Sequence, residues 1–142
     1  MSEGASHAVQ DRASREAKAQ KIRLLVEGHC KGPFLKVLDV GTGAGLIANY
    51  LSRMGWGVVG FHAVDVKDER QVTDGYEFHL VADTRLPFPD GYFDLILSNH
   101  VVEHVGSAVA QKRHVSEVYR CLQPGGILYF AAPNRWRLVE PH

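Results

Sequence analysis

Apolar positions along the chain follow two periods, and the change between them predicts the order of the elements. Residues 8–27 contain no proline or glycine and are rich in Ala, Arg, Lys, Gln and Glu, which favours a helix that Gly28 would end. Apolar residues at helical spacing occur again from Leu46 to about residue 54 and over residues 106–122, and these two segments are also predicted to be helices. Short apolar runs predict strands at residues 35–39, from Val58 onward, and at 77–81, 95–97 and 127–131.

This alternation of strands and helices predicts one three-layer α/β domain over residues 1–142. The run 95–97 is wholly apolar, as in strands that are buried on both faces of a parallel sheet. With right-handed crossovers, we expect a Rossmann-like doubly wound sheet of strand order 3-2-1-4-5. Within it we expect an N-terminal helix at 8–28, a ligand-binding core at 35–131 and a short tail at 132–142.

Composition narrows the class of partner. The 142 residues include 16 Lys and Arg and 16 Asp and Glu, so the net charge is zero and indicates no surface for nucleic acid or anionic membrane. No apolar run approaches the roughly 18 residues of a membrane span. Cys30 and Cys121 lack metal-ligand spacing, which favours reduced thiols and a cytoplasmic location. We therefore expect a small-molecule partner, with no nucleic acid and no membrane.

Three alternating glycines, Gly41, Gly43 and Gly45, stand between the first strand and the helix that follows it. Glycine permits a sharp turn and a close approach of ligand to backbone, and the N–H groups of the helix start face the same space. Dinucleotide sites favour G-x-G-x-x-G, but Leu46 takes the place of the third glycine here. The turn predicts a ligand site and disfavours an NAD-dependent oxidoreductase; a purely structural turn is the alternative.

The end of the second strand offers two candidates for a ribose-binding residue. Nucleotide-binding βαβ units place an acid about 20 residues beyond the glycines, where it accepts hydrogen bonds from ribose hydroxyls. Asp65 lies at that distance from Gly45, inside the apolar-acid-apolar run 64–66. A shorter strand would put His62 at this position instead. We favour Asp65, and His62 stays open.

Three motifs resemble those of one enzyme family. Asp39 and the glycine turn resemble motif I of the class I S-adenosylmethionine-dependent methyltransferases. Residues 82–94 resemble the D-A-x-x-L-P-F-x-D-x-S-F-D run of the methyltransferase type 11 group, although Asp83 stands one residue closer to Leu86 than is usual there. Residues 122–128 resemble the L-x-P-G-G-x-L segment of the same group. The resemblance, which covers residues 37–131, implies a methyltransferase with S-adenosyl-L-methionine as its cofactor.

The resemblance also implies a role for particular residues. The end of strand one and the glycine turn would hold the methionine part of the cofactor. The acid at the end of strand two would bind the ribose, and the acid and the hydroxyl after strand three would bind the adenine. The end of strand four would lie beside the reacting group. In that order the residues are Asp39, Gly41, Thr42, Gly43 and Gly45, then Asp65, then Asp83 and Thr84, then Ser98 and Asn99.

Methyl transfer requires few catalytic side chains, because most of the rate enhancement can come from aligning the acceptor, the methyl carbon and the sulfur. Where the acceptor must lose a proton, His100 and His104 are the candidate bases, since they follow strand four and titrate near neutral pH. The same residues spell H-x-x-E-H, a zinc-hydrolase signature, but no third ligand is evident. We therefore expect no metal. A non-catalytic module that binds S-adenosylmethionine or a partner is the other alternative.

Only residues 132–142 follow the fifth strand, whereas the family's sheet usually continues into an antiparallel hairpin. Either the chain is a piece of a longer protein, or the open edge of strand five pairs with a second copy to form a homodimer. The resemblance covers the cofactor half of the fold, so it leaves the small-molecule acceptor unidentified.

Overall fold

The structure is a computed structural model that describes residues 2–99, 101 and 105–132. These ranges contain three helices and five strands. They are α1 (Ser2–His29), β1 (Lys36–Val40), α2 (Leu46–Arg53), β2 (Gly60–Asp65), β3 (Glu77–Leu80), β4 (Phe93–Asn99), α3 (Ala108–Cys121) and β5 (Leu122–Ala131). The predicted bases His100 and His104 and most of the predicted tail lie outside the described residues.

The five strands form one sheet in the order β3-β2-β1-β4-β5, and all their pairings are parallel. Val40 at the end of β1 pairs with Val64 in β2 and with Ser98 in β4. The carboxyl ends of these three strands therefore meet at one edge, where open α/β sheets bind their ligands. The predicted fold class and strand order are confirmed.

Helices cover the two faces of the sheet unequally. On one face α1 and α2 pack against β1, β2 and β4 around Ile22, Leu51 and Trp56. On the other face α3 contributes Val118 and Cys121 to a second apolar cluster with Leu38, Phe93 and Ile96. The connections 66–76 and 81–92 contain no helix, so the second layer is thinner beside β2 and β3.

Two side chains tie the loops to this frame. Asp94 accepts hydrogen bonds from the N–H groups of Leu35 at 2.7 Å and Lys36 at 2.9 Å, which fixes the start of β1. Arg120 of α3 donates to the carbonyl oxygens of Leu86 at 2.9 Å and Phe88 at 2.8 Å. The guanidinium of Arg120 thus helps to hold the Leu-Pro-Phe turn against α3.

Several predicted boundaries are wrong. Helix α1 begins at Ser2 and runs through Gly28 to His29, so Gly28 is helical and does not cap it. Strand β2 begins at Gly60, because Gly57 at φ 71° turns the chain and leaves Val58 and Val59 exposed. No described helix has the length and apolarity that a membrane crossing would need.

Candidate cofactor-binding site

Two adjoining cavities open at the carboxyl edge of the sheet, and Gly41 lines both of them. The larger holds about 590 Å³ and the smaller about 270 Å³. A shallower groove of about 960 Å³ lies beside residues 83–90 and α3, away from the glycine turn. The larger cavity is lined in part by Asp65, Asp83, Thr84, Val101, Arg113 and His114, and the smaller by Arg15, Lys18, Asp39, Thr42, Gly43 and Asn99.

The three glycines of the turn have positive φ angles of 73°, 56° and 83°, but they serve different purposes. A side chain on Gly41 would meet Val101, and one on Gly45 would collide with Tyr76 and the backbone of the 66–76 connection. At Gly43 an added Cβ would meet nothing within 4 Å. An added side chain would therefore enter open space only at Gly43, whereas at Gly41 and Gly45 it would meet neighbouring parts of the chain.

Asp65 stands at the end of β2 and faces the larger cavity. One carboxylate oxygen accepts from the N–H of Gly43 at 2.9 Å, and the other from the N–H of Val66 at 2.8 Å. Each oxygen has a second lone pair, so the carboxylate can still accept hydrogen bonds from ribose hydroxyls. His62 lines neither cavity and packs against aromatic rings on the sheet face instead.

The carboxyl of Asp39 is almost fully buried at the end of β1, with 4% of the residue exposed. Burial raises the pKa of this carboxyl from 3.8 to about 7, and the negative charge of Asp65 adds to the rise. The Thr42 hydroxyl is near enough to oppose the shift, although it forms no hydrogen bond of ordinary geometry with the carboxyl. A cationic group of a ligand would stabilise the ionised form of Asp39.

The smaller cavity contains polar atoms that lack partners. Thr42 Oγ1 and Asn99 Oδ1 are buried without a hydrogen-bond partner among the described residues. Buried polar atoms are normally paired, so two unpaired ones beside a cavity indicate a polar ligand. Arg15 and Lys18 of α1 add positive charge to the same lining. Together with Asp39, these groups suit the ammonium and carboxylate of an amino-acid moiety, such as the methionine end of S-adenosylmethionine.

The other predicted cofactor-binding residues do not all line a cavity. Asp83 and Thr84 line the larger cavity, and Asp83 is exposed at its rim, where it accepts from the N–H of Arg85 at 2.8 Å. Ser98 is fully buried and lines neither cavity; its hydroxyl is 2.9 Å from Nε2 of His114. Asn99 reaches the smaller cavity.

Sequence reasoning missed several residues that line the cavities, among them His114, Arg15 and Lys18. Burial lowers the pKa of His114, which therefore stays neutral near pH 7 beside the larger cavity. Its spacing of four residues from the buried Val118 on α3 was the available signal that it faces inward. Arg15 and Lys18 carried no signal, because a charged side chain on an N-terminal helix is ordinarily solvated.

Comparison with known proteins identifies the class to which this fold and site belong. Residues 38–130 match the model of the type 11 family, which is described as "Methyltransferase domain". The chain belongs to this family of S-adenosylmethionine-dependent methyltransferases, as its three motifs predicted. S-adenosylmethionine is the family's cofactor, and the match gives no support to an NAD-dependent oxidoreductase or a zinc hydrolase.

Curated relatives include two proteins named "Ubiquinone biosynthesis O-methyltransferase". The one from Paramagnetospirillum magneticum is 35% identical over 106 residues, which cover 71% of this chain and 41% of that protein. The one from Mesorhizobium japonicum is 32% identical over 107 residues, which cover 71% of this chain and 42% of that protein. The chain thus spans less than half the length of these relatives.

Comparison with a solved structure supports the same fold. A SAM-dependent methyltransferase from Methanosarcina mazei is similar at a TM-score of 0.63 and 25% identity. The similarity covers 75% of this chain and 55% of that one. The Rossmann-like arrangement predicted from the sequence is therefore that of a methyltransferase.

Proposed function

We propose that the protein transfers the methyl group of S-adenosylmethionine to a hydroxyl oxygen of a small molecule, and that this chain holds the cofactor. The observation that carries the proposal is the pair of cavities that meet at Gly41, one with unpaired buried polar atoms and the other with an acceptor carboxylate. A ligand that joins an adenosine to an amino acid needs two cavities of different chemistry, one for each part. The family match supplies the identity of the ligand.

Each half of the cofactor has a proposed position. The methionine end lies in the smaller cavity, its ammonium beside Asp39 and its carboxylate toward Arg15 and Lys18. The ribose hydroxyls donate to Asp65, which the Gly43 and Val66 N–H groups hold in place. The adenine lies against the rim formed by Asp83 and Thr84 in the larger cavity.

S-adenosylmethionine supplies a methyl group already activated by the positive sulfur. The chain's own residues have to hold this group in line with the acceptor and keep water away, since alignment can provide most of the rate. The acceptor oxygen takes the methyl carbon, the carbon–sulfur electron pair stays on sulfur, and the hydroxyl proton leaves to a base or to solvent. His100 and His104 remain the proposed bases.

The acceptor is proposed from the relatives. Their name specifies O-methylation in the biosynthesis of ubiquinone, which supports a small molecule with a hydroxyl group. The zero net charge of the chain is in keeping with such a partner. Cys30 and Cys121 are both free thiols, in keeping with the cytoplasmic location that we propose. A homodimer formed through the edge of β5 also remains a proposal.

Calorimetric titration of the purified chain with S-adenosylhomocysteine tests the cofactor site, with NAD as the matched control ligand. We expect micromolar-range binding of the thioether and none of NAD. Release of S-adenosylhomocysteine from S-adenosylmethionine is then followed with a panel of small hydroxyl compounds that includes phenols and catechols. Turnover of one of them supports an O-methyltransferase. Binding without turnover of any acceptor would instead favour a binding module.

A further inference from the structure

Strands β2 and β3 bring three metal-ligating side chains together on one face of the sheet, away from the cofactor cavities. His62 in β2 pairs in register with Glu77 in β3, and His79 follows two residues later on the same face. Nδ1 of His62 lies 3.0 Å from Nε2 of His79 and 3.6 Å from Oε2 of Glu77. One ligand atom from each of the three lies within 4.8 Å of the others.

These separations suit a tetrahedral metal. Ligand atoms at about 2.0–2.2 Å from a zinc ion stand about 3.3–3.6 Å apart. Two of the three separations here, 3.0 and 3.6 Å, are close to that range, and the third is within 4.8 Å. A shared proton could satisfy the two imidazoles but would leave the Glu77 carboxylate at 3.6 Å, beyond hydrogen-bond distance. A divalent cation would satisfy all three groups, since its charge is balanced in part by the carboxylate.

Neighbouring groups hold the His62 ring with its Nδ1 atom near His79 and Glu77. Phe88 and Phe93 contact the ring edge-on, with centroids at 5.4 and 5.8 Å. A Cβ on Gly60 would stand 3.1 Å from the Nε2 atom of His62, so glycine leaves the room that the ring uses. The side chain of His62 is 14% exposed, whereas that of Glu77 is 69% exposed, so the cluster has a buried floor and an open side.

We propose that His62, Glu77 and His79 bind one zinc ion across β2 and β3, with a water molecule as the fourth ligand. His62 lies three positions before Asp65 in β2, which is about 10 Å along a strand, so this site is distinct from the cofactor site. The ion would fasten the edge strand β3 to β2 in the part of the sheet where neither connection, 66–76 nor 81–92, contains a helix.

The test is titration of the chelator-treated full chain with Zn²⁺, followed by calorimetry, and with Co²⁺, followed by the visible absorption of tetrahedral cobalt. We expect one metal per chain and a rise in Tm on the order of 5–10 °C at a hundredfold excess over Kd. His79→Ala and Glu77→Gln should each weaken zinc binding by about tenfold or more. Both lie on the edge strand, and Glu77→Gln preserves size, so the fold should survive.

Two control variants make the result specific. His29→Ala removes a histidine whose Nδ1 lies 2.9 Å from the Leu25 carbonyl of its own helix, far from the cluster in sequence, and should leave the zinc affinity unchanged. The double variant His100→Ala/His104→Ala should also retain zinc. The proposal is overturned if the folded chain binds no zinc, if His79→Ala binds it as tightly as the parent, or if the double variant alone loses it. S-adenosylhomocysteine binding, measured on the same variants, reports separately on the proposed function.

Discussion

At the scale of single residues, Asp39 has the most perturbed environment in the cofactor site. Its carboxyl is buried, it lies near the carboxylate of Asp65, and it has no ion-pair partner in the described part of the chain. Because its pKa is about 7 in the folded state and 3.8 in the reference state, the folded chain holds this proton more tightly. The stabilising effect of the proton is complete below about pH 4 and is lost as the pH rises through 7.

Asp39→Asn should therefore flatten the dependence of stability on pH. From about pH 5 to pH 8 the parent chain should lose about 2–3 kcal/mol of unfolding free energy that the variant keeps. Urea unfolding of both proteins at the two pH values measures the difference. Asp83→Asn, which changes an exposed carboxylate at the cavity rim, is the control and should follow the parent. Parallel curves for Asp39→Asn and the parent would contradict the argument.

The glycine turn allows a matched pair of substitutions. Gly43→Asn adds a side chain where nothing lies within 4 Å, and asparagine tolerates a φ of 56°, so stability should change by less than about 1 kcal/mol. Binding of S-adenosylhomocysteine should weaken by about tenfold or more, because the side chain occupies the cavity. Gly45→Ala should instead cost about 2 kcal/mol or more of stability, since it collides with Tyr76.

Urea unfolding and calorimetric titration of both variants separate the two effects. An unstable Gly43→Asn with normal binding would reverse the assignment. The sequence does not distinguish the three glycines from one another, because a local pattern shows where glycine occurs and not what stands opposite it. The contacts that require Gly41 and Gly45 come from Val101 and Tyr76, which are distant in sequence. Asp65 stands at the end of β2, as the apolar-acid-apolar run 64–66 indicated, although the start of that strand did not follow from its own residues.

At the scale of elements, α3 connects the cofactor edge to the Leu-Pro-Phe turn. His114 near its middle faces the larger cavity, and Arg120 near its end holds the turn through Leu86 and Phe88. Glu117 completes this contact by accepting from the N–H of Leu86 at 2.8 Å and pairing with Arg120 at 2.6 Å. The turn is therefore positioned by side chains of a helix and not by strand pairing.

Arg120→Met should destabilise the fold by about 1–2 kcal/mol, because it removes the Arg120 donor from two partly buried carbonyl oxygens and the ion pair from Glu117. Hydrogen exchange of the amides at 86–91 should become faster, and urea unfolding gives the free energy. Arg12→Met, which removes an exposed ion pair with Glu16 at 3.6 Å, is the matched control and should change stability by less than about 0.5 kcal/mol. Equal effects of the two variants would show that the contacts of Arg120 contribute nothing.

The sequence predicted which elements exist better than where they begin and end. Apolar Val58 and Val59 suggest a strand, but their N-terminal neighbour Gly57 turns the chain, and the pairing with β1 begins at Gly60. In the same way β5 starts at Leu122, because α3 leads directly into its pairing with Phe93. Pairing partners decide both boundaries, and a periodicity within one segment does not contain that information.

At the scale of the whole molecule, α1 forms a wall of the smaller cavity across from the sheet. Arg15 and Lys18 line it together with Asp39 and Asn99, and farther along α1 Ile22 and Val26 pack into the core. The strand order was predictable, since right-handed crossovers permit few topologies. The contribution of α1 to the site was not, because it depends on how a helix outside the βαβ units docks.

A bound cofactor should therefore protect α1 as well as the glycine turn. We expect S-adenosylhomocysteine to slow hydrogen exchange in residues 15–22, because its carboxylate would join Arg15 and Lys18 to the sheet. Lys18→Gln should weaken binding about three- to tenfold, and Lys21→Gln on the same helix, outside the cavity lining, should not. Unchanged exchange in α1 on binding, with affinity equal in both variants, would place the carboxylate elsewhere.

The docking of residues 71–76 on the glycine turn also sets an order of events in folding. The carbonyl of Ala44 accepts from the N–H groups of Gln71 at 2.9 Å and Val72 at 3.1 Å, and Tyr76 stands where Gly45 has no side chain. The first strand and helix can form from residues that are close in sequence. The final shape of the turn, however, depends on contacts with a segment about 30 residues later in the chain, and such non-local contacts form slowly. During synthesis, we therefore expect the glycine turn to take its final shape only after the chain has emerged beyond Tyr76, and the cavities to be completed later, by Thr84, Asn99 and His114.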